Sequence, residues 1–104
     1  MTNYNDNDLS EIISSNEKVM LYFSAEWCGP CKILKPNMEK AELEFGEEIK
    51  FAKADVSEAE ETTKKYSIKN IPTCVLVSKG EEIARFSGVK NNDQIKKFFQ
   101  EHRN

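Results

Sequence analysis

The chain is sparing with the residues that staple or punctuate a small protein. Its 104 residues hold three cysteines, three prolines, four glycines, one tryptophan and one histidine. An odd cysteine count leaves at least one thiol without an internal partner, so a fully disulfide-paired framework is excluded. At this length a hydrophobic core forms without such staples, and one domain spanning residues 1–104 is expected. No repeat, low-complexity tract or linker interrupts it. No apolar run approaches the roughly 20 residues that span a bilayer. Fifteen basic and eighteen acidic residues are interspersed, for a net charge of −3, and no basic patch offers itself to nucleic acid. The opening Met1-Thr2-Asn3-Tyr4-Asn5-Asp6 is polar, with neither the basic nor the apolar region of a secretory leader, so a cytoplasmic location is expected, and separately a monomer.

What remains is a dense alternation of strand and helix patterns. Asn3–Tyr4 reads as a short edge strand, and Leu9, Ile12 and Ile13 form a helical stripe with Asp6 or Asp8 as its cap. Lys18–Ser24 is a buried strand, and Leu34, Met38, Ala41 and Phe45 mark a long helix with Pro36 inside it and Gly46 at its end. Ile49–Val56 is a second core strand, in which Lys53 is the one charge between Phe51 and Ala54. Ser57-Glu58-Ala59-Glu60 reads as a capping box opening a helix through Tyr66. Cys74–Val77 is a third dense strand. Lys79-Gly80-Glu81-Glu82 then turns into Ile83–Ser87, and Asn91 with Gln94 caps a last helix that buries Ile95, Phe98 and Phe99. The order β-α-β-α-β-α-β-β-α predicts an α/β fold, a central mixed sheet with helices on both faces.

Chemistry concentrates where the first long strand passes into the long helix, at Trp27-Cys28-Gly29-Pro30-Cys31-Lys32. A helix N-terminus presents unpaired N–H groups and a positive dipole end, both of which favour a thiolate over a thiol. Residues three apart on a helix face stand about 5–6 Å apart at Cβ, so the two sulfurs reach each other after a small adjustment. One cysteine is thus an activated nucleophile and the other resolves it. Gly29 permits close approach of another backbone, Pro30 suits a first-turn position, and Trp27 offers a flat apolar cover beside the sulfur.

The ten residues Phe23-Ser24-Ala25-Glu26-Trp27-Cys28-Gly29-Pro30-Cys31-Lys32 resemble the active-site signature of thioredoxins. The resemblance implies the thioredoxin fold over essentially the whole chain. It further implies protein-disulfide reduction by dithiol–disulfide exchange through Cys28 and Cys31, with no bound cofactor. A thioredoxin reductase would recycle the pair, and ribonucleotide reductase, peroxiredoxins and methionine sulfoxide reductases would be clients. It casts Pro72 as a cis-proline packed on the disulfide, leaving the Ile71 backbone free to pair with an extended peptide. Gly88 becomes the glycine that keeps that surface flat, and Lys53 a buried lysine behind the site. Ser24 stands where many relatives carry a second tryptophan and others serine. One position departs from the pattern: Tyr22 replaces the buried aspartate that normally accompanies the lysine. A phenol with an ordinary pKa near 10 is a poor base at neutral pH, so Tyr22 either fills core volume, the favoured reading, or relays a proton through water near Lys53.

Two other classes remain open beside this one. A disulfide-donating oxidant or isomerase would share the motif, and a reduction potential against glutathione separates it. A non-enzymatic binding module would use the apolar Trp27, Ile71 and Gly88 face and would keep its role after both cysteines became serine. A Cys₃His zinc set from Cys28, Cys31, Cys74 and His102 lacks the second short-spaced couple that structural sites use. Cys74, in an apolar strand, is expected to be a packed thiol.

Overall fold

The computed structural model describes residues 1–103. Five strands and four helices alternate as β1 (Thr2–Tyr4), α1 (Asp6–Ser15), β2 (Lys18–Ser24), α2 (Gly29–Phe45), β3 (Lys50–Asp55), α3 (Glu60–Lys65), β4 (Thr73–Ser78), β5 (Glu81–Ser87) and α4 (Asn92–Glu101). The strands form one mixed sheet in the order β1-β3-β2-β4-β5, with β2 parallel to β3 and antiparallel to β4. A strand at the centre of such a sheet is covered on both faces, which is why β2 reads as an unbroken apolar run and is buried along its whole length.

Alternation along the strands sorts side chains into two cores. Met20 and Tyr22 of β2, Phe51 of β3 and Cys74 and Leu76 of β4 pack beneath Leu34, Met38 and Phe45 of α2 and Ile95 and Phe99 of α4. On the opposite face, Val19, Leu21 and Phe23 meet Val75 and Val77 together with Leu9 of α1 and Tyr66 after α3. Helices therefore cover both faces of a mixed sheet, as expected. Among the described residues no helix is long and apolar enough to cross a membrane.

The helix ends differ from the sequence expectation in two places. Asn5, not Asp6 or Asp8, caps α1: its side chain accepts from the Asp8 N–H at 3.2 Å while the Asp8 carboxylate accepts from the Asn5 N–H at 3.4 Å. Asp6 is thereby free to reach α3. Its carboxylate accepts from the Glu61 N–H at 3.1 Å, the Thr62 N–H at 2.9 Å and the Thr62 hydroxyl at 2.7 Å. The capping box expected at Ser57–Glu60 does not form, because Ser57 donates its N–H and hydroxyl to Asp55 and the cap position falls on Ala59. A six-residue helix is too short to stand on propensity alone, and a carboxylate borrowed from α1 satisfies its orphan donors. At the far end of the chain the reading holds: Asn91 and Gln94 bond reciprocally at the start of α4.

Candidate active site

Cys28 occupies the N-cap of α2 in an extended conformation, and the N–H of Cys31 donates to its Sγ at 3.2 Å. The two cysteines are joined in a disulfide with their Cα atoms 5.3 Å apart. Pro30 lies in the first turn, where its missing N–H leaves nothing unsatisfied. A Cβ built on Gly29 would meet nothing within 4 Å, so this glycine faces open surface.

Both sulfur-bearing residues are well covered. Cys28 is 5% exposed and Cys31 3%, so Cys28 is not the openly exposed residue its place at the helix tip suggests. The cover comes from Ala25, Val56 and Ile71. Trp27 is 77% exposed and forms one wall of a groove of about 220 Å³ shared with Val56, Thr63, Ile68 and Ile71.

Ile71 and Pro72 bring the second half of the chain to this edge. The Ile71–Pro72 peptide is cis, and Pro72 is buried. The Pro72 carbonyl accepts from the Gly88 N–H at 2.9 Å, and Gly88 sits at φ +82°, where glycine alone is unstrained. The neighbouring Thr73 hydroxyl donates to the Asn70 carbonyl at 2.7 Å and lies 2.9 Å from the Ser87 hydroxyl. The only sequence signal for this brace at Asn70, Thr73 and Ser87 is a polar residue opening an otherwise apolar strand. Neither main-chain group of Ile71 enters a backbone hydrogen bond among the described residues.

Behind the disulfide, Tyr22 and Lys53 are register partners on β2 and β3. Tyr22 is wholly buried and its hydroxyl donates to the Cys31 carbonyl at 2.6 Å. Burial pushes its phenol well above the ordinary range, and neighbouring Cys74 and Glu39 add to the shift. The hydroxyl is therefore committed to the backbone of the resolving cysteine and not to Lys53. Lys53 itself is half-buried, not fully buried as expected, because a cavity of about 460 Å³ opens beside it, lined also by Ser24, Glu26, Cys31, Lys32 and Lys35.

Cys74 is fully buried against the Tyr22 side of the sheet, and burial alone pushes its thiol far up, so it is a core residue. His102 closes α4 with its Nδ1 2.8 Å from the Phe98 carbonyl. Cys74 and His102 thus lie apart from the Cys28–Cys31 pair, and among the described residues no three acidic, histidine or cysteine groups are placed to hold a metal. Another groove, about 620 Å³ between α1, α3 and the Lys79–Gly80 turn, is lined by neither reactive cysteine.

A sulfur at a helix N-terminus that accepts a main-chain N–H is an activated nucleophile once reduced, and its partner one turn further in is placed to displace whatever it captures. Comparison with known proteins agrees. The thioredoxin family model matches residues 1–101. Thioredoxin of Bacillus subtilis is 35% identical over 89 residues, 86% of each chain. Plasmodium falciparum thioredoxin superposes with a TM-score of 0.90 at 31% identity, covering 98% of this chain and 99% of that one. A chain from a structural study of thiol resolving in yeast mitochondrial 1-Cys peroxiredoxin via glutathione/thioredoxin systems gives a TM-score of 0.85 at 28% identity, covering 97% of this chain and 94% of that one. Some relatives are longer: the match spans 63% of Thioredoxin-T of Drosophila melanogaster and 54% of mouse mitochondrial thioredoxin.

Proposed function

The chain belongs to the thioredoxin family, and from that premise we propose that it is a protein-disulfide reductase working by dithiol–disulfide exchange. Cys28 thiolate attacks a client disulfide and forms a mixed disulfide; Cys31 then attacks Cys28 and releases the reduced client. The observation that carries this reading is the Cys31 N–H donating to Cys28 Sγ at the start of α2. That bond and the helix dipole both stabilise a sulfur anion there and nowhere else among the three cysteines.

The exposed Trp27, the unpaired main chain of Ile71 and the flat turn at Gly88 are the surface offered to an extended client segment. A backbone without partners beside a reactive sulfur can accept strand-like hydrogen bonds from such a segment. Electrons return to the pair from a thioredoxin reductase. Clients of the peroxiredoxin, ribonucleotide reductase and methionine sulfoxide reductase kinds fit this chemistry, and the yeast neighbour's connection with a 1-Cys peroxiredoxin supports the first of them. A reducing compartment such as the cytoplasm, with roles in electron transport and redox homeostasis, is the setting in which an exchangeable pair operates in a chain that also keeps a buried free thiol.

The test is insulin disulfide reduction driven by NADPH and a thioredoxin reductase. Turnover by the wild type and its loss in Cys28→Ser supports the reading. Full activity without either cysteine contradicts it.

A further inference from the structure

Ser24 closes β2 directly behind the disulfide and points to the same face of the sheet as Tyr22. It is 1% exposed, yet its hydroxyl has no hydrogen-bond partner among the described residues. Buried hydroxyls without a partner are costly and uncommon, and each has a reason to be there. This one lines the cavity of about 460 Å³ that also reaches Cys31 and Lys53. A water molecule occupies about 30 Å³ of liquid, so the cavity admits several.

The resolving step raises a proton problem there. Cys31 must lose its proton to become a nucleophile, and the obvious acceptors are unsuited. The Tyr22 hydroxyl commits its proton to the Cys31 carbonyl at 2.6 Å, so it has none to pass on, and a neutral phenol is a poor base. Cys74, from β4, lies in the core and holds its own proton. The remaining charges around the cavity are the ammonium groups of Lys53 on β3 and of Lys32 and Lys35 on α2, with Glu26 as the one lining carboxylate, in the exposed loop after β2. Glu39 of α2 acts on Tyr22. Ammonium groups donate and do not accept, but they stabilise a thiolate formed beside them.

We propose that the Ser24 hydroxyl holds the water that takes the proton from Cys31, and that the proton leaves to solvent through the lysine-lined cavity. The proposal deepens the disulfide-exchange reading and rests on it. In the step, the Cys31 S–H proton passes to water, and the sulfur anion attacks Cys28 Sγ. The Cys28–client S–S bond breaks and the Cys28–Cys31 bond forms. The client leaves as a thiolate that takes a proton from solvent. Two electrons move from the cysteine pair to the former client disulfide. Ser24 is a positioning residue, acting through the water it orients.

The reduced full chain is mixed in a stopped-flow device with an aryl disulfide whose thiolate is coloured. Modification of Cys28 releases one equivalent and attack by Cys31 a second. The second phase is followed between about pH 6 and about pH 9, the range over which a thiol gives up its proton. Ser24→Ala, which removes a hydroxyl that has no protein partner, should slow that phase about tenfold at neutral pH. The gap should close towards alkaline pH, where Cys31 ionises without help, and Ser24→Thr should restore the wild-type profile. A Ser24→Ala profile matching wild type throughout overturns the proposal. So does a loss equal at every pH, which marks altered packing, or a loss in Glu26→Gln with none in Ser24→Ala. Absence of a second phase in the wild type would instead defeat the exchange reading itself.

Discussion

Replacing Tyr22 by Phe isolates one hydrogen bond at the back of the active site. The ring keeps its place in the core cluster that also holds Met20, Leu34 and Met38, because Tyr22 is fully buried and the substitution removes only the hydroxyl oxygen. What disappears is the bond to the Cys31 carbonyl at 2.6 Å, together with the only side-chain donor that carbonyl has in the described structure. A buried bond lost in this way, with its acceptor left behind, costs about 1–2 kcal/mol. In a domain of this size that corresponds to roughly 4–8 °C of melting temperature per kcal/mol. Urea unfolding of the oxidised protein, with the denaturant slope unchanged, measures it directly. A stability within about 0.3 kcal/mol of wild type, below the scatter usual for independent sites, would refute the assignment of Tyr22 as a brace on the resolving cysteine.

Other outcomes follow from the same geometry. Tyr22→Asp removes the donor, opens a cavity costing about 3–5 kcal/mol, and sets a carboxylate beneath the cysteines. Like-charge repulsion then raises the Cys28 thiol and makes the protein a stronger reductant, which a thiolate absorbance titration and a glutathione equilibrium would show. Alkylation of the reduced protein at neutral pH should label Cys28 before Cys31 and leave Cys74 untouched in the native state, read by peptide mass spectrometry. Trp27→Ala should leave the melting temperature unchanged, since the ring is 77% exposed. It should lower kcat/KM for a protein disulfide about tenfold, or about 1.4 kcal/mol of client contact. Asp6→Asn should lower the melting temperature at neutral pH by loosening α3. The Asp6 carboxyl is held below its ordinary value first by the Thr62 hydroxyl and then by the Thr62 and Glu61 N–H groups. Its contribution is therefore complete above the unfolded value near pH 3.9 and fades as pH falls through the lower folded value, so the two melting curves should converge in acid.

The parts that the sequence made legible are those specified by neighbours in the chain. The unbroken apolar runs of β2 and β4, the reciprocal Asn91–Gln94 cap and the cysteine pair at a strand-to-helix junction are all local signals. What escaped is specified by distant residues. Ser57–Glu60 has the form of a capping box, but Asp55 competes for Ser57 and Asp6 supplies the cap from 55 residues away. The family resemblance implies a buried Lys53, yet the cavity beside it leaves it half-open. Cys28 opens a helix yet is buried, because the cover over the sulfurs comes from Val56 and Ile71, residues far along the chain. Ser24 carries no signal beyond a polar residue at the end of an apolar run, and only its unpaired hydroxyl in the folded protein marks it.

The central claim is that Cys28 captures a client disulfide and Cys31 resolves it. Its most direct test is intact-protein mass spectrometry after the Cys31→Ser variant meets a disulfide-bonded protein under non-reducing conditions. The account predicts a long-lived one-to-one mixed disulfide on Cys28, with none formed by Cys28→Ser. No trapped adduct, or an adduct located on Cys74, would contradict it.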